Sequence, residues 1–129
     1  MAKQDLTWTK KPEAEDYEAA LDFLSLIYPT SQAKHFVAAL RKAPSEERVA
    51  KDLLRASAMP LLPRDEPKVD EELKRIRKGK ALSPVLLIQG DAGRRIPLIV
   101  ADGYHRVCAI CYYDENAPIP CRMTSQRAQ

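Results

Sequence analysis

The fold is decided by the stretch Ile99-Val100-Ala101-Asp102-Gly103-Tyr104-His105-Arg106-Val107-Cys108-Ala109-Ile110-Cys111. Its first three residues are apolar and have strand character. Asp102-Gly103 signals a tight turn, because glycine accepts backbone angles that other residues resist. After the turn, apolar side chains recur at positions 104, 107, 108 and 111, which is the spacing of one buried helix face. We therefore predict a strand, a turn and then a helix over about 104–114.

The turn places two polar side chains, His105 and Arg106, in the first turn of this helix. Unpaired backbone N–H groups at a helix N-terminus attract anions, and an arginine adds a planar fork of donors. The pattern indicates a phosphate site built from residues 102–106. A structural alternative stays open, in which Asp102 is only a turn or N-cap residue and the two cations form surface ion pairs.

Composition narrows the class of protein. The chain has 129 residues and a net charge of +3, which fits an anionic ligand but falls short of a nucleic-acid signature. No apolar run is long enough for a membrane span, and residues 1–11 are too polar for a secretory signal.

An odd count of three cysteines favours a reducing, cytoplasmic location. Cys108 and Cys111 are interpreted as small buried hydrophobes, and no zinc or other metal site is expected.

Helical periodicity dominates the first half of the chain. One helix is predicted from Glu13 to about Pro29, a second follows a Ser31 cap, and a third opens at Pro44 and runs to about residue 57. Residues 1–58 are therefore assigned to a helical N-terminal extension.

The second half mixes strands and helices. Residues 59–63 fit an edge strand because of their two prolines, and a helix is predicted over Val69–Lys78. Strands are expected at 85–88, 96–101 and 119–123. The predicted fold is α+β, with a small mixed sheet and helices in a domain spanning 59–129.

Four segments of this second half, taken in order, resemble the ParB/sulfiredoxin superfamily. Residues 65–69 look like the segment leading into that family's first helix, and residues 82–88 look like its strand with a central proline. Asp102-Gly103-Tyr104-His105-Arg106 is similar to the box written G-G-C-H-R in sulfiredoxins and D-G-H-H-R in the related free-serine kinases. Ile119-Pro120-Cys121 looks like the closing strand. The resemblance covers about residues 59–124.

The resemblance implies that the box holds nucleotide phosphates. Asp102 and Gly103 would shape the turn and let the phosphate approach, Tyr104 would lie beside it, and His105 and Arg106 would contact it. Lys68 matches a nucleotide-binding lysine of sulfiredoxins. The ligand would be ATP, another nucleotide with Mg²⁺, or a phosphorylated small molecule.

Departures from the family limit the activity that it implies. Tyr104 stands where sulfiredoxins have their nucleophilic cysteine, so sulfinic-acid reduction is not expected. An enzyme of this kind would be a phosphotransferase or nucleotide hydrolase, with Asp65 or Glu66 as the base. ParB partition proteins follow this domain with a helix-turn-helix, and the sequence shows none, so centromere binding is not expected.

Two other functions stay open. The chain could be a non-enzymatic interaction module that binds a protein partner through its N-terminal helices or through a basic cluster. It could instead be a DNA-associated ParB-like protein, with a basic cluster as the contact surface. The cluster comprises Lys74, Arg75, Arg77, Lys78 and Lys80. Its lack of interleaved aromatic residues argues against base stacking.

Overall fold

The computed structural model describes residues 5–127, which form five α-helices around one four-stranded sheet. The helices are α1 (Ala14–Leu24), α2 (Thr30–Lys42), α3 (Ala50–Ser57), α4 (Pro67–Arg77) and α5 (Tyr104–Asp114). The strands are β1 (Glu46–Val49), β2 (Val85–Ile88), β3 (Ile99–Asp102) and β4 (Pro118–Thr124). The predicted α+β class is confirmed. Residues 1–4 and 128–129, at the outer ends of the two predicted domains, lie outside the described residues.

The sheet has the strand order β1-β4-β2-β3 and is mixed. β2 runs parallel to β4, whereas β1 and β3 run antiparallel to their neighbours. The four residues of β2 are all fully buried. Val85 and Leu87 pack with α3, α4 and α5, while Leu86 and Ile88 pack with α1 and α2. Since successive side chains of a strand point to opposite faces, an uninterrupted apolar strand needs cover on both sides.

The molecule is therefore layered as helices, sheet and helices. The first 58 residues supply both α1 and α2 on one face and the strand β1 at one edge of the sheet. α1 contacts β3, and this contact brings the N-terminal part of the chain next to the β3–α5 turn. Among residues 5–127, no helix combines the length and apolar character that crossing a membrane requires.

The prediction of a helix opening at Pro44 is wrong over its first turn. Glu46–Val49 is the strand β1, which pairs with Pro118–Cys121 of β4. The helix begins only at Ala50, whose N–H donates to the Ala117 carbonyl at 3.0 Å. The strand pairing with β4 and the hydrogen bond to Ala117 involve residues about 70 positions away in the chain. These tertiary contacts override the helix-start pattern of a proline followed by acidic residues at 44–47.

The predicted edge strand over 59–63 is also wrong, since these residues join no strand of the sheet. The segment lies along α5 instead. The hydroxyl groups of Tyr104 and Tyr112 donate to the carbonyls of Pro60 and Leu62, respectively. These side chains supply partners for backbone groups that a ladder would otherwise pair.

Several other boundaries move by a few residues. The predicted Ser31 cap is wrong, because α2 begins at Thr30 and Ser31 lies inside it. α1 ends at Leu24, before the predicted stop at Pro29, and α4 begins at Pro67. β3 covers Ile99–Asp102, whereas Ile96 makes only an isolated bridge to Asp91. The turn at Gly103 and the helix α5 lie where the sequence predicts them, because their signals are local.

Candidate functional site

The Asp102–Arg106 box forms a strand–turn–helix corner. β3 ends at Asp102, Gly103 adopts a left-handed conformation with φ of 108°, and α5 begins at Tyr104. The Val107 N–H donates to the Gly103 carbonyl at 2.9 Å, which closes the first helical turn. No side chain among the described residues caps this helix. Its first backbone N–H groups therefore lack the side-chain acceptor that a usual N-cap supplies.

Gly103 is required by packing as well as by its backbone angle. A Cβ at this position would lie 2.5 Å from Cγ1 of Val85 and 3.0 Å from Nη1 of Arg106. Real Cβ atoms essentially never lie within 3.0 Å of another heavy atom, so the contact with Val85 excludes a Cβ unless the packing shifts. The space beside Gly103 is thus filled by protein, and the expected approach of a phosphate would have to come from another side of the turn.

Arg106 points into the molecule. Its side chain is only 12% exposed, and its guanidinium lies between two carboxylates. Nη2 is 3.9 Å from Oδ1 of Asp16 in α1, and Nη1 is 4.0 Å from Oδ2 of Asp102. These are ion pairs at longer than hydrogen-bond distance. The cation that the sequence assigned to a phosphate is already balanced by the protein.

A third carboxylate, that of Glu72 in α4, lines the same cavity of about 200 Å³ as Asp16 and Arg106. Two further acids of the N-terminal segment, Glu13 and Glu15, also line it. Glu72 Oε2, Asp102 Oδ2 and Arg106 Nη1 are buried without a hydrogen-bond partner among residues 5–127. This cavity carries more acidic than basic groups, so it repels a phosphate.

The acidic surroundings alter the ionisation of Asp102. Burial raises the pKa of this carboxyl from 3.8 to about 7, against the opposing attraction of Arg106. The negative charges of Asp16 and Glu72 act in the same upward direction. Asp102 thus changes its protonation near neutral pH, which is unusual for a carboxyl and typical of functional and of strained charged sites.

A second group forms between the N-termini of α4 and α5. Glu66 is the N-cap of α4 and accepts a hydrogen bond from the Val69 N–H at 2.9 Å. Its Oε2 lies 3.8 Å from Nε2 of His105. Desolvation disfavours the charged carboxylate, but the backbone N–H groups of Val69 and Lys68 and the charges of His105 and Lys68 outweigh it and lower the pKa of Glu66. The carboxylate of Glu66 thus caps the start of α4 and lies beside the first turn of α5.

The remaining predicted residues lie around this second group. Lys68 and Asp65 are exposed, and Lys68 is close enough for its charge to act on Glu66. The Tyr104 hydroxyl is engaged with the Pro60 carbonyl. The structure therefore separates the predicted residues into two sets. Glu66, Lys68 and His105 belong to the outer group, whereas Arg106 lines the acidic cavity and Asp102 lies beside Arg106.

Sequence analysis missed Asp16 and Glu72. A signal for Asp16 was present, since it lies on the same helical stripe as the buried residues Ala20 and Leu24. A carboxylate on an apolar stripe needs a partner when it is buried. The identity of that partner, 90 positions away, was not encoded in any local pattern.

The cysteines and the basic cluster add little to this site. Burial raises the pKa of both Cys111 and Cys121 to about 11, which keeps these thiols protonated at neutral pH. In the basic cluster, Lys74 is paired with Asp70 at 3.1 Å and Arg75 lines the acidic cavity. Within residues 5–127, no group of three or more His, Cys, Asp or Glu is arranged to hold a metal ion.

Comparison with protein-family models, with curated proteins and with solved structures finds no match for this chain.

Proposed function

We propose that this chain binds a nucleotide or another phosphate ester at the N-terminus of α5, within a fold of the ParB/sulfiredoxin kind. The observation that carries the proposal is the uncapped start of α5, flanked by the side chains of His105 and Lys68. Backbone N–H groups, an imidazole N–H and a lysine ammonium are donors that a phosphate group uses. The order α4–β2–β3–α5–β4 agrees with the order that the resemblance implies after its first strand, which is absent at residues 59–63.

Arg106 has a different role in this proposal from the one that the resemblance implies. It lies on the inner side of α5 and balances Asp16 and Asp102, so it positions the turn rather than contacting the ligand. The phosphate then meets His105 and Lys68 from outside. The Glu66 carboxylate competes with the phosphate for His105. Phosphate binding therefore requires Glu66 either to interact with His105 at the same time or to move away from it.

If the chain is an enzyme, the reaction that fits is phosphoryl transfer or nucleotide hydrolysis. A low-pKa carboxylate that caps a helix is a poor base, which makes Glu66 less suited than the exposed Asp65. A Mg²⁺ ion would arrive with the nucleotide phosphates, because the described residues hold no preformed cluster for it. The cytoplasmic location stays a prediction.

The test is calorimetric titration with ATP, ADP, CTP and GTP, each with and without Mg²⁺. The His105→Gln and Lys68→Gln variants should each weaken binding about tenfold, which corresponds to losing one charged contact. Lys51→Gln is the control for charge, because it removes another exposed lysine, which lies on α3. Arg106→Ala is unsuitable, since it would strand two carboxylates and change the fold's stability.

Two outcomes contradict the proposal. Absence of binding by any nucleotide at millimolar concentration would make the box purely structural. Binding that survives both variants would move the ligand away from α5.

A second candidate function, protein interaction through the N-terminal helices, has its own supporting observation. Leu26 is 84% exposed and Ile27 is 51% exposed, next to the partly exposed Phe23. Three large apolar side chains at one helix end are typical of contact surfaces. If a second copy of this chain covers them, sedimentation will show a dimer that the Leu26→Ser variant loses.

A further inference from the structure

We propose that a separate cavity, between the segment before α1, the end of α2 and strand β4, binds a small molecule that carries phosphate and at least two negative charges. The cavity has a volume of about 580 Å³. Small-molecule sites span roughly 300–1,000 Å³, so a ligand of mononucleotide size or smaller fits.

The wall of this cavity is strongly basic. Lys10 and Lys11 come from the segment before α1, Arg41 comes from α2, and Arg122 comes from β4. Glu13 is the one carboxylate among its lining residues. The ion pairs among residues 5–127 include none of the four cations. A concave surface with this excess of positive charge concentrates anions.

Both arginines are held in place before any ligand arrives. The guanidinium carbon of Arg41 lies 4.3 Å from the centre of the buried Tyr17 ring. Nη1 of Arg122 donates to the Ala43 carbonyl at 2.9 Å. Fixed side chains lose less conformational entropy on binding, and guanidinium groups match the oxygen pairs of a phosphate.

Arg122 also provides an observation that is independent of the net charge. Its Nε–H is buried and has no acceptor among residues 5–127. A buried donor without a partner is costly, and most are satisfied in folded proteins. Since this Nε–H is closed to solvent, a bound anion could accept from it only after a shift of the Arg122 side chain.

The neighbouring acidic cavity explains why the anion is expected here rather than beside Arg106. Thr9 and Glu13 line both cavities, so the segment around residues 9–13 separates them. Carboxylates dominate one side of this segment and cations dominate the other. The inference does not rest on the proposed function at α5, since the two sites share no residue.

The experiment is calorimetric titration of the full chain with pyrophosphate at low salt, where charge screening is weak. The Lys10→Gln/Lys11→Gln double variant should bind about tenfold or more weakly, because it removes half of the cations. The matched control is Lys51→Gln/Lys78→Gln, which makes the same change in net charge at exposed positions on other elements. Because pyrophosphate can also bind at α5, His105→Gln identifies that component, and this variant should keep the component that Lys10→Gln/Lys11→Gln removes.

The outcomes separate this inference from the proposed function. Loss of binding in the Lys10/Lys11 variant alone supports the basic cavity, whatever nucleotides do at α5. The inference is overturned if only the His105 variant loses pyrophosphate binding, or if the control variant loses as much as the Lys10/Lys11 variant. It is also overturned if the wild type does not bind pyrophosphate. We expect the Arg41→Gln variant to lose pyrophosphate binding to a similar extent. If citrate bound as tightly as pyrophosphate, the assignment of the ligand to phosphate compounds would be overturned.

Discussion

The Asp102→Asn substitution tests the electrostatics of the box most directly. The wild-type carboxyl has a folded-state pKa of about 7 and an ordinary pKa of 3.8, so the folded protein binds its proton more tightly than the unfolded chain does. The stability that this proton contributes is present at low pH. It is lost as the pH rises from the ordinary pKa to the folded one, because the folded state must then ionise a buried group.

The magnitude follows from the two pKa values. Each tenfold change in a protonation constant corresponds to about 1.4 kcal/mol, so ionising Asp102 costs the fold at most about 4 kcal/mol between pH 4 and pH 8. The variant is neutral at every pH and nearly the same shape, and it escapes this cost. We expect it to be more stable than the wild type at pH 8 and to approach it at pH 5.

The assay is urea unfolding at a series of pH values from 5 to 8. The difference between wild type and variant isolates residue 102, because contributions from the two histidines cancel. Asp65→Asn, at an exposed turn residue, is the matched control and should change little. A variant that is less stable than the wild type at pH 8, by a gap that widens with pH, would refute the reasoning. It would show that attraction to Arg106 outweighs burial.

Three further substitutions test other parts of the structure by urea unfolding. Gly103→Ala should cost about 3 kcal/mol, from a left-handed backbone and the contact with Val85; a cost near zero would mean that the turn relaxes easily. Tyr112→Phe should cost about 1 kcal/mol by leaving a carbonyl without its donor, and an unchanged stability would mean that water replaces it. Glu66→Ala should destabilise the protein at neutral pH. Because folding lowers the pKa of Glu66, its carboxylate stabilises the protein above the ordinary value of 4.5, and this stabilisation is lost as the pH falls through the folded-state pKa. A stability difference between wild type and variant that persists at low pH would contradict the capping role.

Local patterns in the sequence were enough for the central corner of the fold. The strand β2, the turn at Gly103 and the helix α5 lie where apolar spacing and turn chemistry predict them. Each depends on residues within a few positions of one another, so the necessary information is contiguous in the chain. Helix α4 was also predicted, with its boundary displaced by two residues to the Pro67 start that Glu66 caps.

Tertiary structure decided the rest, since the partners are far apart in sequence. β1 is a strand because β4 offers it an edge, and segment 59–63 is irregular because two tyrosines of α5 bind its carbonyls. Arg106 faces inward because α1 brings Asp16 against it. The four cations of the basic cavity come from three separate elements. The sequence alone therefore determined which local elements form around the box, whereas long-range packing determined which charges meet, because burial makes each charge depend on a partner that no local pattern names.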